Sequence, residues 1–454
     1  MADFVEKCIY GVLEYDNENY PFLFENRVIR IVGAPFQFHE KFEDNTNVSV
    51  LHGVTADNRD IYFLNCSLRT SFPFMQISFL PLGYVISSGN VGEPCDGTFD
   101  QALFYSDAVN SFFPPQKAMT LDVDHKTFCG PMKLILDFSK QDEVSFSYGD
   151  AICSFSIYRE VNVRQGKSDL GHLTSFFTFS FEDKQSYEVL PKLWLALYDF
   201  LSFVNFSRSI PFNKIALKRE SEDGKYVINA YAHIFSTEKE YELPQPHKAI
   251  TIDDFPNDKL GIVFKTIAAL RAHDGKIQYY YPEQYNDDNR IDTQRWLMIA
   301  LAFDGLFQEK YPDYKQKEKK PFSVAKSTAL NALQQVDISG LTKKEKAYFK
   351  DCCQQIELYE GVLAAKFNYI TDKYRKELAS IAQDNLNRFN TKLSGCGEIY
   401  AQYRNKIAHG SVESLTGKEL AVYRLLRAMI YILLLKDCEL DSDVLTVIIN
   451  KLFL

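Results

Sequence analysis

The stretch Glu398-Ile-Tyr-Ala-Gln-Tyr-Arg-Asn-Lys-Ile-Ala-His-Gly-Ser gathers residue types suited to proton transfer beside an anion. His409 carries an imidazole, the one side chain that titrates between pH 5 and 8 without help, so it can take and return protons at neutral pH. Arg404 carries a guanidinium, permanently charged and forked to hold a phosphate or a developing oxyanion through two parallel hydrogen bonds. Asn405 can hydrogen-bond the same anion or orient the imidazole, and Tyr403 and Lys406 flank the pair as candidate substrate-binding groups. Residues five apart on a helix point about 140° apart, so Arg404 and His409 do not share a face, whereas Asn405 and His409, four apart, do. Gly410 is placed to end the helix and unwind its last turn, where the His409 ring can swing inward. A second explanation stays open on these residues alone. A histidine in a last helical turn interacts well with the helix dipole, glycine is the usual residue beyond it, and Arg404 can pair with a carboxylate such as Asp304.

Other chemistries lack their residues. The nine cysteines are odd in number, scattered and without CxxC spacing, which fits free thiols rather than a disulfide framework or zinc site. The eight histidines are far apart, so no metal ligand set is expected. Gly89, Gly92 and Gly97 precede neither Lys-Ser/Thr nor a helix and do not form a phosphate-cradling loop. No Gly-x-Ser-x-Gly or His-Glu-x-x-His occurs, and the adjacent pairs Asp253–Asp254 and Asp287–Asp288 read as caps and turns.

The elements that must position the motif follow from hydrophobic period. At 454 residues, 46% hydrophobic and 14% aromatic, the chain is long enough for two or three packed units and too apolar to be disordered. Up to about residue 245 short β-rich runs alternate with turn residues: Ile61–Cys66, Met132–Phe138, Ala151–Tyr158 and Thr174–Phe181. A helix over Pro191–Val204 and a hairpin over 214–235 close this part, expected to be a sandwich- or barrel-like domain over residues 1–245. After residue 255 the period becomes about 3.6. Helices are predicted over 258–271, 293–310, 345–382 (broken once), 398–408 and 418–436, a four- or five-helix domain over 250–454 with its core at about 290–454. The fold class is therefore α+β and multidomain. Residues 311–321, with Lys315, Lys317, Lys319 and Lys320, read as a charged connector. Net charge is −9, but residues 1–240 hold 21 Lys+Arg against 32 Asp+Glu, while residues 241–454 hold 30 against 28. The first part would repel a polyanion and the second would not. No apolar run reaches the ~18–20 residues of a membrane-spanning helix, and the first ten residues lack a secretory leader pattern, so a cytoplasmic protein that does not enter membranes is expected.

The wording Arg404-Asn405-x-x-x-His409-Gly410 resembles the Arg-x4–6-His motif of HEPN domains, helical bundles found in many toxin and defence ribonucleases. It looks most like the Apea-like group associated with abortive-infection defence against phage. Ala300-Leu-Ala-Phe-Asp-Gly-Leu-Phe is similar to that family's acidic first helix, and the β-rich part, with Leu195-Ala-Leu-Tyr-Asp-Phe-Leu-Ser-Phe, is similar to the N-terminal sensing domain of ApeA proteins. The specific signal lies in about 160 C-terminal residues. The resemblance implies an endoribonuclease without metal or cofactor, with tRNA as the expected target. His409 would move protons, Arg404 would hold the phosphate, Asn405 would assist, Lys406 and Tyr403 would bind substrate, and Asp304 would orient Arg404. It also implies a homodimer through the helical domain and a phage-protein trigger at the N-terminal domain. Two other readings belong to different classes: a catalytically inactive HEPN-fold dimerisation or ligand-binding protein, and a carbohydrate-recognition protein, the latter on fold analogy alone.

Overall fold

The computed structural model describes residues 8–15, 18–32, 47–71, 76–89, 96–122, 133–136, 144–160, 163–164, 167–168, 172–221, 223–235, 244, 248–274, 280–285, 287, 291–314, 320–358, 362–410 and 414–454. The chain divides into two compact units, Met1–Asp288 and Asn289–Leu454. The boundary lies later than the 245–250 predicted from the change of period, because the helix after that point belongs to the first unit.

The first unit begins with six antiparallel strands, β1 (Cys8–Tyr15), β2 (Glu18–Glu25), β3 (Val28–Ile31), β4 (Asn47–Thr55), β5 (Asp60–Ser71) and β6 (Gln76–Leu80). They close into a barrel because β5 is long enough to serve two neighbours along one edge. Its Ser67–Ser71 half pairs with β6, which also pairs with β3, while Ile61–Leu64 pairs with β7 (Gly83–Ser87). Period-2 alternation sends Leu13, Phe22, Ile29, Phe63 and Phe79 inward, all at most 2% exposed, with Phe22 edge-on to Phe63 at 5.5 Å. At the β1–β4 seam a Cβ on Gly11 would overlap the Val54 carbonyl oxygen, so only glycine allows that approach.

From β7 the sheet continues as an open antiparallel layer. In chain order come β8 (Thr98–Tyr105), α1 (Asp107–Phe112), β9 (Met119–Asp122), β10 (Lys133–Leu136), β11 (Ser145–Tyr148), β12 (Ala151–Glu160), β13 (Val163–Arg164), β14 (Lys167–Ser168), β15 (His172–Ser186), α2 (Leu190–Asn205), β16 (Lys214–Glu220), β17 (Tyr226–Ile234) and α3 (Asn257–Asp274). The spatial order is β7-β17-β16-β8-β15-β12-β11, with β9–β10 and β13–β14 as separate ribbons. The predicted sandwich or barrel is thus a closed six-stranded barrel with an extended sheet attached. The α3 helix packs on α2 and β11: Gly261 lets the helix approach Phe146, and the Phe264 ring sits 5.1 Å from Phe146, 5.1 Å from Phe200 and stacked on Phe177 at 5.6 Å. Those aromatic contacts place α3 in the first unit.

The second unit is helical: α4 (Thr293–Lys310), α5 (Lys320–Gln334), α6 (Lys343–Leu358), α7 (Val362–Lys373), α8 (Ala379–Phe389), α9 (Cys396–Ala408), α10 (Gly417–Leu435) and α11 (Ser442–Phe453). These eight described helices exceed the four or five predicted. The continuous periodicity over 345–382 is divided among α6, α7 and α8, and α5 and α11 were not predicted. Asp292 caps α4 by accepting from the Arg295 N–H at 2.7 Å, and a Thr416–Glu419 capping box starts α10. From Ala421 to Leu435 every residue of α10 is buried except Arg424, which is half-buried. Arg424 donates to Asp384 Oδ2 at 2.6 Å, Asn385 Oδ1 at 2.8 Å and the Phe453 carbonyl at 2.9 Å, tying α8 and the end of α11 to α10. Burial pushes the Asp384 carboxyl up, but hydrogen bonds from Arg424 and Arg388 more than reverse this and hold it below the usual carboxylate range. No described helix is long and apolar enough to cross a membrane.

Gly11→Val is expected to destabilise the first unit by about 2–4 kcal/mol, read as lost amide-exchange protection in β1 and β4 while α10 keeps its own. Arg424→Met should destabilise the second unit by about 2–4 kcal/mol at neutral pH. Because the depressed Asp384 pKa stabilises the fold above the carboxyl's unfolded value and ceases to do so as pH falls through the folded one, the difference from wild type should shrink below about pH 4. Denaturant midpoints at pH 7 and pH 3.5 check both statements.

Candidate active site

The motif occupies the C-terminal half of α9. The helix ends as the glycine predicts: His409 is the C-cap at φ −92° and ψ 12°, its N–H bonded to the Asn405 carbonyl at 3.1 Å, and Gly410 adopts the left-handed φ of +83°. His409, Asn405 and Lys406 are exposed, while Arg404 is half-buried. Tyr403 is different. It is 3% exposed and packs edge-on against Trp296 with ring centroids 4.8 Å apart, so its ring is a core element of the protomer. The sequence offered Tyr403 as a substrate-binding candidate, and the structure places its ring in the core on Trp296, away from the exposed groups of the motif.

Asp304 comes from α4, which lies alongside α9. Tyr400 and Arg404 occupy one stripe of α9, a turn apart, and both reach this carboxylate. The Arg404 Nε lies 4.0 Å from Asp304 Oδ2, with side-chain exposures of 28% and 16%, beyond hydrogen-bond length. Among the described residues neither Arg404 Nε nor Asp304 Oδ1 has a hydrogen-bond partner. Burial pushes the Asp304 carboxyl up from its ordinary range, and the Tyr400 hydroxyl and the charges of Lys366 and Arg404 bring it only partly back. Burial and the neighbouring Asp304 charge in turn push the Tyr400 phenol well above its usual range, and its hydroxyl also donates to the Ala300 carbonyl at 3.4 Å.

The structure therefore joins Asp304 and Arg404, as the sequence proposed, and adds Tyr400 and Lys366. Tyr400 was legible as the residue four before Arg404. Lys366 lies 38 positions from the motif on α7, and only the packing of α7 against α9 brings it in. A groove of about 460 Å³, lined by Asn368, Thr371, Asp372, Arg375, Leu393 and Ser394, lies at the opposite end of α9 and contains none of the motif residues. The seven described cysteines are free; burial raises the Cys66 thiol to about 12 and the Cys396 thiol, beside Glu398, to about 11. Among the described residues no group of three or more His, Cys, Asp or Glu side chains is placed to hold a metal ion. Lys315, Lys317 and Lys319 lie outside the described residues, and Lys320 begins α5.

Chemically, the arrangement is a guanidinium held beside a carboxylate that does not hydrogen-bond it through Nε, with an exposed imidazole five residues on at the helix end. Compared with known proteins, the chain matches no family model, no curated protein and no solved structure.

A carboxyl with a raised pKa carries a penalty that is absent below its unfolded value and grows as pH rises through the folded one. Asp304→Asn removes the ionised form, so it should melt at a higher temperature than wild type at pH 7. That advantage should vanish near pH 3.5, a comparison that thermal scans at the two pH values decide.

Proposed function

We propose that this chain is a metal-independent HEPN-type endoribonuclease of anti-phage abortive-infection defence, acting in the cytoplasm on RNA, with tRNA as the target class. The observation that carries it is the Arg404-Asn405-x-x-x-His409-Gly410 segment ending α9 with its polar groups exposed while Arg404 stands beside an under-bonded Asp304. RNA brings its own nucleophile. His409 takes the 2′-hydroxyl proton, the 2′-oxygen attacks phosphorus, and the bond to the 5′-oxygen breaks as that oxygen gains a proton. The products are a 2′,3′-cyclic phosphate and a 5′-hydroxyl. Arg404 holds the charge that builds on the phosphoryl oxygens, with Asp304 keeping the guanidinium in place and Asn405 and Lys406 able to reach the same anion from the exposed side.

The exposed position of His409 supports a composite site in which two copies meet through the helical domain. The acidic balance of residues 1–240 supports a regulatory role for the β-rich part, with a phage protein as trigger, rather than RNA contact there. A second reading, a catalytically inactive HEPN-fold dimerisation or ligand-binding protein, is favoured by one feature: a C-cap histidine followed by a left-handed glycine is also how a helix ends for stability alone.

Wild-type, His409→Ala and Arg404→Ala proteins incubated with total bacterial RNA in EDTA discriminate the two. The ribonuclease reading expects cyclic-phosphate ends from wild type, with cleavage reduced by about 100-fold or more in either variant and melting temperatures within a few degrees of wild type. Equal cleavage by all three would remove the assignment.

A further inference from the structure

One wall of the barrel turns apolar side chains outward, where an antiparallel sheet ordinarily shows polar ones to water. Residues directly opposite one another in antiparallel strands share a face, so the register fixes which side chains belong to this surface. Val12 of β1 opposes Val54 of β4 and Pro21 of β2. The Val32 N–H, just after β3, bonds to the Pro21 carbonyl at 2.8 Å and brings Val32 into the same row. A second row runs beside it. Tyr10 opposes Leu23, Leu23 opposes Arg30, and the Ala56 N–H bonds to the Tyr10 carbonyl at 2.9 Å. The alternate residues Ile9, Leu13, Phe22 and Ile31 belong to the barrel core, so both rows point away from it. Tyr10 is 62% exposed, Val32 54%, Val12 44% and Val54 37%. Pro21 and Ala56 are exposed as well, and Leu23 is half-buried.

Contiguous exposed apolar surface of this kind marks a contact with another molecule. The charges around it say which. Residues 1–240 hold 21 Lys+Arg against 32 Asp+Glu, so two copies of this unit repel wherever their acids face each other. Within the two rows the sole charge is Arg30, 3.6 Å from Glu25. A two-fold axis along the strands, between β1 and β2, lays β1 over the second copy's β2 and β4 over its β3 edge. Val12 then meets Pro21 of the second copy, Tyr10 meets Leu23 and Val54 meets Val32. The bordering charges avoid their like: Glu14 falls opposite Asn19, Glu25 opposite Cys8, and Arg30 opposite Ala56, beside Asp57. Four strands at about 4.8 Å make a patch only about 15 Å wide. That is the apolar centre of an interface rather than its whole area of roughly 800 Å² per partner, and it suits a reversible contact.

We propose that this wall of the barrel docks a second copy of the chain, sheet against sheet, through Tyr10, Val12, Pro21, Leu23, Val32 and Val54. The contact is separate from any meeting of α9 ends and does not depend on the ribonuclease reading. A chain with both contacts would assemble beyond a dimer.

Sedimentation equilibrium of the full chain, from about 1 to about 100 μM, tests it. The wild-type mass should rise over that range to about twice that of the Val12→Glu variant or more. Val12→Glu sets two unpaired carboxylates into the apolar centre of each pair and should weaken association roughly tenfold or more. Val32→Glu should act in the same direction. Ile152→Glu, at a 52% exposed position on β12 outside the rows, should keep the wild-type mass. Raising NaCl from about 50 to about 500 mM screens repulsion between the acidic units, so wild-type association should strengthen. All three substituted side chains are exposed, and melting temperatures within a few degrees of wild type exclude unfolding as the cause. A wild-type mass that does not rise with concentration overturns the proposal. So does association that survives Val12→Glu, which belongs to another surface, or a loss in Ile152→Glu as large as in Val12→Glu.

Discussion

Burial of α10 on all its sides is the constraint from which the helical unit follows. A helix that is apolar around its whole circumference is stable only when other helices surround it. Here α4, α8, α9 and α11 do so. Trp296 of α4 donates from Nε1 to the Glu419 carbonyl at 3.1 Å, and Asn385 of α8 donates to the Ala421 carbonyl at 2.9 Å, so the neighbours are registered as well as packed. With α4 and α9 both resting on α10, Tyr403 meets Trp296 and the Tyr400 hydroxyl meets the Ala300 carbonyl. The pairing of Asp304 with Arg404 is a consequence of that registration. The core face of α9 is used up by the two tyrosines, which leaves Asn405, Lys406 and His409 on the open side.

Two arginine–aspartate pairs in this unit show opposite solutions to the same cost. Arg424 reaches a carboxylate, an amide and a carbonyl, and its aspartate is held ionised. That pair fastens helices. Arg404 and Asp304 stop at 4.0 Å, each with a buried atom lacking a hydrogen bond, and burial raises the aspartate's pKa. Desolvated groups left partly unsatisfied lower stability, so a fold that satisfies one pair and not the other has a local reason for the difference. On the proposed function, accepting an external anion would be such a reason: a guanidinium fully committed to its carboxylate has no fork left for phosphate.

Period was the legible quantity in the sequence, and partnership was not. Alternation located β5, β12, β15 and the β16–β17 hairpin, and the 3.6 period located α4 at 293–310 and the ends of α9 and α10 within two residues. The same signal could not say that α3 packs on Phe146 and Phe177 rather than on later helices, since an apolar stripe does not name what covers it. Barrel closure was hidden for a related reason. It depends on β5 splitting one edge between β6 and β7, which is a matter of register between distant segments. Helix α5 was hidden because its start lies in a lysine-rich stretch read as a connector. At the site, the glycine-terminated helix and the Asp304–Arg404 approach were legible. The burial of Tyr403 was not legible, because a tyrosine beside a polar motif looks the same in sequence whether it points to Trp296 or to solvent.

An exposed imidazole and a half-buried guanidinium on one helix end do not by themselves make an efficient catalyst. Electrostatic stabilisation of a phosphoryl transition state depends on fixed groups in a site that excludes water, where each charge acts through a lower dielectric. On the proposed function, the α9 end of a lone protomer supplies the groups and lacks the enclosure, so the enclosing surface must come from the RNA, a second copy, or both. On that reading, the dependence has a consequence for control. Arg404 and His409 on separate copies would be weak until assembly brought walls and substrate together, and control over assembly would then be control over cleavage. A regulatory domain in such a protein needs no contact with the reacting atoms. It has only to bias whether two α9 ends can meet.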